Sequence, residues 1–132
     1  KMMDIAVPGN LQLGIDLKRQ KNTNGLTAEE FQKAILNDDH IILDLRESSE
    51  IFHDGFINNC IHVPFDKISD YLIKEKDFVN TKKILMYCAV GHRSTLAVQV
   101  SKSYDYKNSF HLMGGIKNWI AQGYSIKKKN SH

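Results

Sequence analysis

The chain has 132 residues, of which 42% are hydrophobic and 25% charged, and a net charge of +3. These values predict one soluble globular domain, long enough to bury a core. They exclude a bilayer span, since no apolar run nears ~20 residues, and a disulfide framework, since the only cysteines are Cys60 and Cys88.

The positive balance belongs to Lys127, Lys128 and Lys129; without them the net charge is zero. No basic stripe interleaved with aromatics is present, so a nucleic-acid partner is not expected. The lysine run reads as a solvated tail. No signal-peptide pattern is visible, and the low cysteine count suits a reducing, cytoplasmic setting. Because the chain begins at Lys1, a targeting segment removed upstream is compatible with this reading.

Residues 1–25 carry apolar positions interrupted by Pro8-Gly9 and by a turn-like stretch from Asn22 to Gly25. The alternation Leu11, Leu13, Ile15, Leu17 predicts a surface strand. Thr27-Ala28-Glu29-Glu30 is a capping box opening a helix whose Phe31 and Ile35 face the core, and Asn37-Asp38-Asp39 stops it. His40 to Asp44 is a short apolar run ending in a carboxylate, which reads as a buried strand. Arg46 to His53 forms one or two helical turns, broken by Gly55. Ile61 to Val63 is a second strand closed by Pro64. Asp66 to Ile73 is a helix with Asp66 as its N-cap. Lys82 to Tyr87 is a third strand, and Leu96 to Tyr104 the helix after it. Ser109 to Met113 is a fourth strand, followed by a Gly114-Gly115 turn and a helix from Ile116 to Gln122. Short strands alternating with amphipathic helices predict a three-layer α/β domain around a mostly parallel sheet. In such sheets reactive groups lie at the strands' carboxyl ends, which is where Asp44 and Cys88 stand.

The chemistry concentrates at Cys88-Ala89-Val90-Gly91-His92-Arg93-Ser94-Thr95. A buried strand delivers one thiol into a tight loop that leads to a helix N-terminus. Unpaired N–H groups and the helix dipole there favour an anion at the sulfur. Gly91 permits a positive φ in the curl, and Arg93 adds a permanent charge. Cys88 is therefore read as a nucleophile. The bland alternative is a small buried hydrophobe.

Four ordered motifs resemble the single-domain rhodaneses, a sulfurtransferase family. Asp44-Leu45-Arg46 is similar to its Asp-x-Arg, and Gly55 to Pro64 resembles its Gly-His-Ile-x-Gly-Ala-x-x-x-Pro segment. Cys88 to Ser94 is similar to its Cys-x-x-Gly-x-Arg-Ser loop. Leu112-Met113-Gly114-Gly115-Ile116-Lys117-Asn118-Trp119 is similar to its Leu-x-Gly-Gly-x-x-x-Trp tail. The resemblance runs over residues 26–126. It leaves 1–25 as an N-terminal extension and 127–132 as a basic tail. Phe56, Asn59 and Cys60 depart from the family pattern, away from the nucleophile.

The resemblance implies a rhodanese-like domain of four to five strands, with no cofactor and no metal. It implies that Cys88 takes a sulfane sulfur from thiosulfate or a low-molecular-weight persulfide and passes it to a thiol or cyanide. Ala89, Val90, Gly91, His92 and Arg93 then cradle the persulfide, with Ser94, Asp44, Arg46, Gly114 and Gly115 in support. Asp44 and Arg46 hold the loop or each other, and Gly114-Gly115 lets backbone approach closely. Arg93 orients charge at the loop, forms a surface salt bridge, or pins the loop to a carboxylate. His92 faces the pocket mouth or is an ordinary exposed histidine. Trp119 is packing, and Cys60 a small buried residue rather than a resolving thiol. Three rivals stand beside this reading. The first is a phosphatase or arsenate reductase of the same fold; such phosphatases use Cys-x5-Arg, whereas only four residues separate Cys88 from Arg93. A binding module without turnover is the second, and a relay passing persulfide to a protein partner the third.

Overall fold

The structure is a computed structural model that describes residues 17–129. Its sheet has five parallel strands: β1 (Gly25–Leu26), β2 (His40–Asp44), β3 (Ile61–His62), β4 (Lys83–Tyr87) and β5 (Ser109–Leu112). Their spatial order is β1-β5-β4-β2-β3, so the two longest apolar strands, β2 and β4, lie side by side near the centre. The helices are α1 (Ala28–Asn37), α2 (Ser48–Asp54), α3 (Ile68–Lys74), α4 (Lys76–Val79), α5 (His92–Ser103) and α6 (Gly115–Ala121). The three-layer α/β expectation is met, and no helix among the described residues is long and apolar enough to cross a membrane.

Strand periodicity sorts the core into two layers. Ile41, Leu43, Leu45, Ile84, Met86 and Cys88 point to one face, where they meet Ile68 and Leu72 of α3 and Ala97 and Val98 of α5. Ile42, Leu85, Tyr87 and Leu112 point to the other, against Phe31 of α1 and Ile116 and Trp119 of α6. Trp119 is the packing residue expected: edge-on to Phe31, stacked on Tyr124, its indole N–H donated to the Ser125 carbonyl.

Local chemistry sets the element ends. The capping box closes as read. Thr27 Oγ1 accepts the Glu30 N–H at 3.1 Å, and Glu30 Oε1 accepts the Thr27 N–H at 2.8 Å. Gly55, at φ 85°, ends α2. Four expectations shift. Helix α5 begins at His92 rather than Leu96, because Gly91 at φ 108° turns the chain directly into it. Arg93, Ser94 and Thr95 therefore ride on the first helical turn. Asp66 does not cap α3; it sits inside a 3-10 turn, Phe65–Lys67, that runs into the helix. The short helix α4 carries too few apolar residues to be read from periodicity. Leu17, expected in a strand, is helical in a segment covering residues 17–22, while Leu11, Leu13 and Ile15 lie outside the described residues. At the other end, the Lys127 main chain pairs with Phe56 through two hydrogen bonds, and its side chain is exposed.

Candidate active site

Cys88 follows β4 by one residue and is buried at the floor of a short loop. Two backbone N–H groups point at its sulfur, from Gly91 at 3.2 Å and from Ser94 at 3.4 Å. Both N–H groups are free to do so because the first turn of a helix leaves its donors without intrahelical partners. The Ser94 hydroxyl stands 3.6 Å from the same sulfur. The loop thus offers a sulfur-centred anion a set of fixed dipoles.

The curl is held from three sides. From α6, the N–H groups of Ile116 and Lys117 donate to the carbonyls of Cys88 and Ala89 at 2.9 and 3.1 Å. Gly115, at φ 65°, lies so close that a Cβ would fall on the Ala89 carbonyl. From the helical segment at residues 17–22 comes Gln20, only 2% exposed. Its Nε2 donates to the Val90 carbonyl at 3.1 Å and its Oε1 accepts the Gly114 N–H at 2.8 Å. One amide thereby ties the loop to the Gly114-Gly115 turn, and it fills the space that a Cβ on Gly91 would need. From within, Thr95 Oγ1 donates to the Gly91 carbonyl at 2.7 Å.

Arg93 takes the carboxylate-pinning option left open by the sequence. Its guanidinium donates two parallel bonds, each 2.8 Å, to Glu50 of α2. The Glu50 hydrogen bonds hold the Arg93 pKa above its usual value, and Arg93 in return lowers the Glu50 carboxyl from 4.5 to about 2. Glu50 is a residue that sequence reasoning missed. It lay in the stretch read only as polar helical turns, and its signal was an acidic side chain on a short helix following Arg46.

Asp44 and Arg46 hold each other. Arg46 Nε and Nη2 donate to Asp44 Oδ1 and Oδ2 at 3.0 and 2.8 Å, and both side chains are fully buried. Tyr87 donates its hydroxyl to Asp44 at 2.5 Å; burial and the Asp44 charge push that phenol's pKa up, so it remains a donor. Burial opposes the Arg46 charge, but Asp44 outweighs it and the guanidinium stays ionised. Arg46 Nη2 also donates to the Gly55 carbonyl at 2.6 Å, which anchors the end of α2. Asp44 shares the sheet edge with Cys88 but projects from the opposite face, beside Tyr87. The cluster braces α2, and through α2 it positions Glu50.

The remaining expected residues sit at the rim. Val90 is 40% exposed and His92 is exposed at the start of α5. A cavity of about 130 Å³ adjoins His92, lined also by Arg19, Gln20, Thr95 and Leu96. Cys60 is half-buried beside Tyr87, and burial pushes its thiol pKa up. A buried histidine, His111 on β5, went unread in the sequence; its Nδ1 lies 2.9 Å from Ser94 Oγ.

Fold and site together define a parallel α/β domain built around a single strand-end thiol. The chain belongs to the rhodanese-like domain family, whose model matches residues 27–122. It is similar to thiosulfate sulfurtransferase/rhodanese-like domain-containing protein 3 of Mus musculus, 27% identical over 118 residues, covering 81% of this chain and 74% of that protein. It is also similar to a tRNA uridine(34) hydroxylase of Pelagibacter ubique, 30% identical over 134 residues. That match covers 99% of this chain but only 41% of the relative. Among solved structures it resembles a rhodanese-related protein from Thermoplasma volcanium, with a TM-score of 0.65 and 32% identity, covering 80% of this chain and 99% of that one.

Proposed function

We propose that this domain is a sulfurtransferase that carries a sulfane sulfur on Cys88. The thiolate attacks the outer sulfur of thiosulfate or of a small persulfide, and sulfite or a thiol leaves. The product is Cys88–S–S⁻. A thiol or cyanide then takes the outer sulfur and regenerates the Cys88 thiolate. The observation that carries this reading is the pair of N–H groups, from Gly91 and Ser94, converging on the Cys88 sulfur. They are in place before any charge develops, which is how an anionic intermediate is stabilised without reorganisation. The family match and the name of the mouse relative support the same chemistry.

Loop size argues against phosphate-ester hydrolysis. Only four residues lie between Cys88 and Arg93, and the guanidinium is already occupied by Glu50. A tetrahedral dianion therefore lacks a free bidentate partner. The hydroxylation named for the Pelagibacter relative belongs to a protein of which this chain spans 41%, and nothing in the loop geometry calls for it. Delivery to a protein acceptor remains part of the proposal, since exposed Val90 and Leu96 put apolar surface near the loop.

Steady-state kinetics with thiosulfate, glutathione persulfide and mercaptopyruvate as donors test the proposal. Ping-pong patterns with at least one of the first two are expected, together with complete loss in Cys88→Ser. Turnover that survives Cys88→Ser, or hydrolysis of an aryl phosphate at a comparable rate, overturns it.

A further inference from the structure

His111 is fully buried, yet it is built into the same layer as the nucleophile. Phe110 and Leu112 of β5 pack in the Trp119 layer, so strand alternation turns His111 to the opposite face, toward α5 and Cys88. Its ring contacts fix its tautomer. Nε2 stands 3.0 Å from the backbone carbonyl of Gln20, an atom that only accepts, so Nε2 carries the proton. Nδ1 is then a bare acceptor, 2.9 Å from Ser94 Oγ. The alternative acceptor for the Ser94 proton is the Gly91 carbonyl at 3.3 Å, which already accepts Thr95 Oγ1 and the Thr95 N–H. The Ser94 proton therefore points to His111. The free lone pairs of Ser94 Oγ face the Cys88 thiol, 3.6 Å away. Thiol, hydroxyl and imidazole form one directed chain.

We propose that His111 is a positioning residue that receives the Cys88 proton through Ser94. The Sγ–H bond breaks as Ser94 Oγ takes that proton, and the original Ser94 proton passes to Nδ1. The result is a Cys88 thiolate, a neutral Ser94 and a His111 imidazolium donating from both nitrogens, to Ser94 Oγ and to the Gln20 carbonyl. The proton leaves by the same route when a thiol product or the regenerated Cys88 needs it, so no outside acid or base is consumed. This inference rests on Cys88 acting as a nucleophile, but not on which sulfur donor it uses.

The immediate surroundings of the His111 ring are uncharged. The ring is flanked in the sheet by Met86 of β4 and Gly25 of β1, and it contacts Gln20, Ser94 and Thr95, none of them ionisable. Arg93, next to Ser94 on the first turn of α5, interacts electrostatically with Cys88 and is itself paired with Glu50, while Arg19 and His92 line the cavity shared with Gln20 and Thr95. Burial lowers the His111 pKa, so the ring is neutral and able to accept while the thiol is intact. A thiolate one hydroxyl away reverses that bias, which makes the two groups a coupled pair rather than independent sites.

The test is the pH profile of Cys88 alkylation by iodoacetamide, which needs no sulfur donor and so stands apart from the proposed activity. In His111→Asn the midpoint should rise by about one pH unit, a roughly tenfold slower reaction below it. The plateau at high pH, where all the thiol is ionised, should be unchanged. Ser94→Ala should give the same shift, and the double variant no more than either single one, because they interrupt one chain. An unmoved midpoint, a lowered plateau or additive effects would overturn the proposal. A second measurement needs no change at His111. Imidazole nitrogen shifts near neutral pH should show protonated ring in the wild type that disappears in Cys88→Ser. A ring equally neutral in both also overturns it.

Discussion

Arg93 meets Glu50 as a fixed cation meets a carboxylate with two matching oxygens, so the most conspicuous charge of the loop is locally balanced. The groups that touch the Cys88 sulfur are then the Gly91 and Ser94 N–H groups, which do not titrate, and the Ser94 hydroxyl. Glu50 does titrate. Its pKa is held at about 2, below the ordinary 4.5, so the folded chain binds fewer protons than the unfolded chain between those values. The stability that the pair contributes is therefore complete above pH 4.5 and is lost as pH falls through the window toward about 2. Denaturant midpoints across that window should fall more steeply in the wild type than in Glu50→Gln. Parallel curves would show that the pair adds nothing. The same variant releases Arg93, and an intact fold with altered KM for thiosulfate is expected from it, measurable by donor titration.

Gln20 shows how an element outside the motifs governs the loop. Residues 17–22 form a helical segment whose one buried amide ties Val90 to Gly114. Replacing it by Ala leaves the part-buried Val90 carbonyl and Gly114 N–H without this partner, at a cost of about 1 kcal/mol. Amide exchange at Val90, Gly91 and Gly114 should accelerate in Gln20→Ala, while exchange in β2 should not. Uniform acceleration would instead mean global destabilisation. Nothing in the sequence marks Gln20, because a lone amide in an irregular stretch has no periodic signature. The strands, the capping box and the loop were legible because each obeys a short-range rule: a short unbroken apolar run, a hydroxyl three residues before a carboxylate, a glycine where φ must be positive. The start of α5 was misread because Arg93, Ser94 and Thr95 look like loop chemistry, yet they occupy a first helical turn. His111 was legible in principle. Once Phe110 and Leu112 are assigned to one layer, the residue between them must enter the other, beside Cys88.

At the scale of the molecule, the parallel sheet separates two tasks that its edge brings close together. One face carries the thiol, the loop and α5; the other carries the Asp44–Arg46–Tyr87 cluster that braces α2. The sequence placed Asp44 and Cys88 at one edge, but only the strand phase separates their faces. Removing one partner of this fully buried pair strands the other without compensation, so Asp44→Ala should cost about 3–5 kcal/mol, read as a shift in the urea midpoint. A change below about 1 kcal/mol would mean that Arg46 finds other acceptors, with the Gly55 carbonyl already at hand.

Whether Cys88 bears the transferred sulfur is read directly by intact-protein mass spectrometry. Reduced protein is incubated with thiosulfate or glutathione persulfide, freed of small molecules, and weighed without reductant. A gain of one sulfur atom, mapped to the peptide containing Cys88, is expected. The gain should be absent in Cys88→Ser and reversed by cyanide with release of thiocyanate. An unchanged mass with both donors, or a sulfur found on Cys60 instead, contradicts sulfur transfer through Cys88.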